Sequence, residues 1–292
     1  MASPASAAKT VDKITLQNGH DVWYVAYGQS NALDTFVLIH GAPGSHKDFG
    51  KLAPLLTARN NTNVVAVDVP GNGRTSAAAA GDDGLSETRI VDAMIETAAI
   101  VASQEPQRRI FLVGHSFGGA TAMQVAARCK LDALAGLALV NSTGFRPHVM
   151  ARPFWLVRFL YKLLVWSPFT RFFMSWFVHA FLQNVGGFKL TKNEAIYTYH
   201  RIGTMDFAAI QASANVIAGA KLPVFCATAL KDRFVEKEIG EEVRAVLKPV
   251  ITNEIDSNDH NIQESRADEL ATGLLRWVAS IPREKLIPGA SA

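Results

Sequence analysis

Apolar runs of strand length alternate with segments of helical spacing through most of this chain, and that alternation limits it to few architectures. The runs fall at residues 35–39, 63–67, 110–113, 134–140, 224–229 and 250–255. Helical patterns, with apolar residues three and four apart, cover 85–102, 118–129, 236–246 and 262–279. Parallel strands need crossover connections, and continuously apolar strands must be covered on both faces. The predicted architecture is therefore α/β: a mostly parallel central sheet flanked by helices. Ahead of it, alternating stretches at 13–16 and 21–27 flank Asn18-Gly19 and predict an opening β-hairpin.

Composition narrows the function classes. Of 292 residues, 49% are hydrophobic and 19% charged, as in a soluble globular protein. The formal net charge is +3 and no run of five Lys or Arg occurs, so nucleic acid is not an expected partner. Cys129 and Cys226 lie far apart without metal-ligand spacing, which implies neither a disulfide framework nor a metal site. Residues 1–10 lack a basic start followed by an apolar stretch; they are expected to be a disordered lead-in, and the setting a reducing, cytoplasmic one.

One segment breaks the alternation. Residues 144–220 hold 16 of the 26 aromatic residues, and eight Lys or Arg against two acids. No window there reaches the roughly 20 apolar residues of a spanning helix. The segment is predicted to be a helical cap inserted into a core made of residues 1–143 and 221–292. Its aromatic residues, Trp155, Phe159, Phe172 and Trp176 among them, are candidates to line an apolar substrate site, or simply to form the cap's own core. Cationic residues interleaved with them would also suit peripheral contact with an anionic membrane.

The strongest local signal is Gly114-His115-Ser116-Phe117-Gly118-Gly119, directly after the run 110–113 and directly before a helical pattern. In a G-x-S-x-G turn the serine occupies the tip of a sharp strand-to-helix bend, near the helix N-terminus, and small neighbours avoid clashes there. The alternative is a glycine-rich turn with an incidental serine. His40-Gly41-Ala42-Pro43-Gly44 follows another strand, and Asp68-Val69-Pro70-Gly71-Asn72-Gly73-Arg74-Thr75 a third. With these segments in this order, the chain resembles the α/β-hydrolase superfamily along almost its whole length. Thr75 stands where serine is usual in that pattern.

The resemblance implies the chain order nucleophile, acid, histidine. Ser116 is the implied nucleophile. Asp232, after the run 224–229, is the implied acid, ahead of Glu236, whose place suits the first turn of the next helix. Asp232 could alternatively form a surface ion pair with Lys231 or Arg233. His260, before the last helical pattern, is the implied base, the alternative being a solvated loop histidine; His40 fits loop support better. The backbone N–H groups of Ala42 and Phe117 are the implied oxyanion hole. A serine at this position speaks against the aspartate-nucleophile branches of the superfamily. The function implied is hydrolysis of a small-molecule carboxylic ester, without metal or organic cofactor. A thioester, a carbon–carbon bond, or non-catalytic ligand binding on the same fold are the alternatives.

Overall fold

The structure, a computed structural model, describes residues 9–58, 61–81 and 85–283. Eight strands form one sheet: β1 (Lys9–Thr15), β2 (Asp21–Gly28), β3 (Asp34–Ile39), β4 (Thr62–Val67), β5 (Arg109–His115), β6 (Leu134–Val140), β7 (Val224–Ala229) and β8 (Ile251–Ile255). Their order is β1-β2-β4-β3-β5-β6-β7-β8. β2 pairs antiparallel with both β1 and β4, and every other pairing is parallel. Of the expected lead-in, residues 1–8 lie outside the described residues, whereas Lys9 and Thr10 open β1 opposite Tyr27 and Ala26. Gly19 takes the left-handed conformation the hairpin turn needs, at φ +79°.

Side-chain alternation along the strands explains why they read as unbroken apolar runs. Val37, Ile39, Val65, Val67 and Leu112 point to one core, while Phe36, Leu38, Val64, Ala66 and Phe111 point to the other. Helices α2 (Glu87–Ser103), α3 (Phe117–Arg128), α7 (Phe207–Gly219) and α8 (Lys237–Leu247) close the first face. Helices α1 (Leu52–Thr57), α9 (Ile262–Ser265) and α10 (Ala267–Ser280) close the second. There Trp277 is fully buried, edge-on to Phe111 with ring centroids 5.4 Å apart. The single helix expected at 262–279 is two, broken at Arg266 (φ −128°, ψ 34°). Ile262, Ala267 and Leu270 all reach the same core across that break, so apolar spacing alone does not reveal it.

Between β6 and β7 the chain leaves the sheet for α4 (Phe154–Trp166), α5 (Pro168–Asn184), α6 (Lys192–Gly203) and then α7. Helices α4 to α6 share a small core of their own built on Leu164, Val178, Leu182, Ala195 and Ile196. Helix α7, inside the span expected to be cap, differs: Ile210, Ala214 and Ile217 belong to the main core, so it serves as a covering helix of the sheet. Arg201 of α6 ties the two parts together. Its Nε donates to Glu87 of α2 at 2.8 Å, and its Nη2 donates to Thr121 of α3 at 2.6 Å. Arg201 is 1% exposed and Glu87 2%.

Removing one member of such a buried pair strands the other without its counter-charge, at a cost of about 3–5 kcal/mol. Arg201→Leu should lower the unfolding free energy by that amount, read from the shift of the urea midpoint. The double change Glu87→Leu with Arg201→Leu should recover much of it, as read by equilibrium unfolding.

Candidate active site

The turn between β5 and α3 is forced by its neighbours. Ser116 adopts φ +54° and ψ −124°, a left-handed conformation costing a non-glycine residue about 1–3 kcal/mol. The turn persists because the surroundings fix it: the Ser116 N–H donates to Val140 at 3.0 Å, and its carbonyl accepts from Gly119 at 2.9 Å and Thr143 at 3.2 Å. The flanking glycines are there for space. A Cβ at Gly114 would lie 2.3 Å from the Gly118 carbonyl oxygen, and one at Gly118 would lie 2.1 Å from that of Ile39. The geometry sets the serine at the carboxyl ends of the strands, at the N-terminus of α3, where oriented N–H groups favour negative charge.

Residues 40–44 lie against this turn, since a Cβ on Gly41 would sit 3.4 Å from Ser116 Oγ. His40 is fully buried and spans the loop. Its Nδ1 donates to the Gly41 carbonyl at 2.6 Å, and its Nε2 accepts from the Val69 N–H at 3.0 Å. With both ring nitrogens occupied, His40 supports the loop. Phe117 is the first residue of α3, so its N–H has no intrahelical acceptor, and it lines the same cavity as Ala42. The Ala42 N–H has no backbone acceptor among the described residues. Asp68 accepts from the N–H groups of His46 at 2.8 Å and Arg74 at 2.9 Å and from His46 Nδ1 at 2.8 Å, organising the following turn.

Asp232 and His260, brought together from the loops after β7 and β8, form one hydrogen-bonded unit. His260 Nδ1 donates to Asp232 Oδ2 at 2.7 Å, while Oδ1 accepts from the N–H groups of Phe234 at 2.7 Å and Val235 at 3.1 Å. The Asp232 side chain is 1% exposed. Fixing the proton on Nδ1 leaves Nε2 with its lone pair free, the requirement for a base acting on a hydroxyl. Ser116 and His260 line one cavity, and no hydrogen bond joins their side chains in this structure; such bonds in substrate-free sites are often loose until substrate is bound.

Two residues that the sequence reading did not place in the site position this histidine. His115 Nε2 donates to the His260 carbonyl at 3.0 Å, and Asn141 Nδ2 donates to it at 2.7 Å. Asn141 also accepts from the Ala229 N–H at 2.7 Å, so it bridges the ends of β6 and β7 to the His260 loop. His115 fills the variable position of the G-x-S-x-G pattern, which carries no sequence signal for this role. Glu236 stands apart: its carboxylate pairs with Arg152 and accepts from the Val149 N–H at 3.1 Å, tethering the start of the insertion.

The cavity over Ser116 has a volume of about 350 Å³. Its apolar wall comes from the insertion, chiefly Leu156, Val157 and Leu160 of α4 and Phe177, Phe181 and Leu182 of α5. Trp155, Phe159, Phe172 and Trp176 do not line it. They lie farther round the same helices, each more than half exposed, because the roughly 100° turn per residue that sets Leu156 and Leu160 on the cavity sets Trp155 and Phe159 away from it. Two of the lining residues hold a polar atom buried without a partner among the described residues: His148 Nδ1 and Thr198 Oγ1. Among those residues, no cluster of three or more His, Cys, Asp or Glu is arranged to hold a metal ion.

A sheet of this order, with a serine at the β5–α3 turn and a carboxylate–imidazole pair after the last two strands, defines the α/β-hydrolase fold class. The chain belongs to the alpha/beta hydrolase family, whose model matches residues 36–272. It is 26% identical over 135 residues to protein phosphatase methylesterase 1 of Mus musculus, an alignment covering 46% of this chain and 34% of the relative. The curated relatives are thus matched over about a third of their length. Haloalkane dehalogenase DbeA from Bradyrhizobium elkani shares the fold at a TM-score of 0.72 and 18% identity, over 93% of this chain and 98% of that one. A lipase-esterase related protein from Clostridium acetobutylicum does so at 0.63 and 16%, over 88% and 99%.

Burial dominates the titration of the site. It brings His40 down to about 4 against the opposing hydrogen bond to Gly41. Burial, reinforced by nearby His260, brings His148 to about 4 and His115 well below the ordinary histidine range. Burial also raises Asp48, on the cavity wall, to about 6. The three histidines have depressed native values, so their stabilisation is complete above the unfolded value of 6.5 and is lost as pH falls towards 4. Asp48 has a raised native value and acts oppositely, stabilising as pH falls through 6. Three groups outweigh one. Unfolding stability should drop between pH 7 and pH 5, measured as urea midpoints at each pH. A flat profile would mean that these imidazoles are not held neutral in the native protein.

Proposed function

We propose that this protein is a serine hydrolase that cleaves small-molecule carboxylic esters with an apolar acyl group. The observation that carries the reading is the 2.7 Å bond from His260 Nδ1 to buried Asp232, facing the same apolar cavity as the strained Ser116. Asp232 holds the imidazole in the tautomer that accepts at Nε2. His260 Nε2 takes the Ser116 proton as Oγ bonds to the carbonyl carbon. The carbonyl π electrons move to oxygen, and the N–H groups of Ala42 and Phe117 stabilise that oxyanion. As the tetrahedral intermediate collapses, the ester C–O bond breaks and His260 gives its proton to the departing alcohol. Water then repeats the sequence on the acyl-enzyme, releasing the acid and restoring the serine proton.

His115 and Asn141 act through the His260 backbone, fixing the loop that carries the ring. The six apolar side chains from α4 and α5 supply a wall suited to a hydrocarbon chain. The mouse relative's name, a methylesterase, accords with ester chemistry over the matched region. Likeness to the dehalogenase is one of fold, and Ser116 is the nucleophile proposed for acyl transfer.

A fluorophosphonate probe should label the wild type, and labelling should vanish in Ser116→Ala and His260→Ala. Asp232→Asn should reduce kcat on p-nitrophenyl esters by roughly four orders of magnitude. An unlabelled but folded wild type would sink the reading. Filling the cavity with Leu160→Phe should move the optimum of an acyl-chain series towards shorter chains, while parallel oxygen and thioester series identify the preferred leaving group.

A further inference from the structure

Helices α4 and α5 have apolar residues on two faces. Their inner faces fill the small core around Leu164, Val178 and Leu182 and wall the cavity. Their outer faces leave Trp155, Phe159, Trp166, Phe169, Phe172 and Phe173 exposed, with Trp166 at 76% and Phe169 at 73%. Phe169 and Phe173, with rings 5.1 Å apart, and Phe172 and Phe173, 5.3 Å apart, form a contiguous aromatic surface. Helices apolar on nearly all sides are normally covered, by protein or by lipid. An aromatic patch of this extent is beyond the scattered single residues that a folded surface tolerates.

Charge selects the covering partner. Residues 145–193 contain seven Lys or Arg and no Asp or Glu. Arg146 and Arg152 pair with Glu236, but Arg158, Lys162, Arg171 and Lys189 are exposed and have no carboxylate partner among the described residues. A second copy of this chain packed through the same face would place these cations against one another. An anionic lipid surface instead satisfies both features, taking the rings at the headgroup level and the cations against its phosphates and carboxylates. No helix of the described residues is long and apolar enough to cross a membrane, so the contact would be in the interface plane. The patch also runs into the cavity, because Leu156 and Phe177 are both exposed and part of its lining.

We propose that the outer face of α4 and α5 is a docking surface for anionic bilayers. Resting on the hydrolase reading above, this identifies the substrate class as lipid esters reached from the membrane plane between Leu156 and Phe177. Docking itself does not require turnover. Sedimentation with vesicles of phosphatidylcholine and phosphatidylserine at low salt should show binding about tenfold or more stronger than to phosphatidylcholine alone, weakening as salt rises. Tryptophan emission of the wild type should shift to the blue on adding the anionic vesicles.

Ser116→Ala should bind as the wild type does. The triple change Trp166→Ser, Phe169→Ser and Phe173→Ser should abolish binding while keeping thermal unfolding and fluorophosphonate labelling. Arg158→Glu with Lys162→Glu should remove the preference for anionic vesicles. Absence of wild-type binding and of the emission shift would overturn the proposal. So would concentration-dependent self-association, lost in the triple variant, without vesicle binding. Vesicle binding by a protein that no probe labels would overturn the hydrolase reading and leave docking standing.

Discussion

Ser116 is held in a backbone conformation that it would not adopt alone, and the rest of the site is arranged around that fact. The left-handed residue at the end of β5 lets the chain reverse from strand to helix within one position, so the hydroxyl stands clear of the sheet. The turn is stable only while the end of β6 supplies an acceptor at Val140 and the loop after it a donor at Thr143. It also needs Gly114 and Gly118 to let α3 approach β5 and β3. Sheet order, helix placement and glycine positions are therefore parts of one constraint.

Most of the fold was legible because its signals are local or periodic. Buried parallel strands read as apolar runs, and the elbow combines a motif with its strand-to-helix context, so β3 to β8 and α3 were foreseen within a few residues. The Asp232–His260 pairing followed from the superfamily's chain order rather than from spacing. What escaped were features that depend on direction. Trp155 and Leu156 are adjacent and both apolar, yet one points to solvent and the other into the cavity. Which side of α4 faces the sheet is set by tertiary packing, and hydrophobicity on nearly every side of the helix erases the amphipathic signal that would have shown it. Asn141 and His115 escaped because they act on a backbone carbonyl more than a hundred residues away.

The histidines show how burial sorts one residue type into separate roles. His40 has both ring nitrogens engaged with backbone, and His115 gives one to the His260 carbonyl. His260 alone combines a buried carboxylate partner on Nδ1 with a place beside Ser116 in the cavity. His148 lines the cavity with its Nδ1 buried and unpartnered among the described residues, its ring against that of Phe117 at a centroid distance of 5.3 Å.

The anchoring of the insertion has a consequence for how such a protein can change over generations. Arg201 fastens α6 to α2 and α3, and Phe154 packs on Phe207 at the root of α4, so the α4–α5 hairpin is secured at its base. Everything that Ser116, Asp232 and His260 require is supplied by strand ends and loops of the other folding layer. The hairpin can be lengthened, resurfaced or re-lined by mutation while these three residues keep their geometry. Substrate preference and reactivity are thereby inherited on separate pieces of structure, and selection can act on the first without eroding the second.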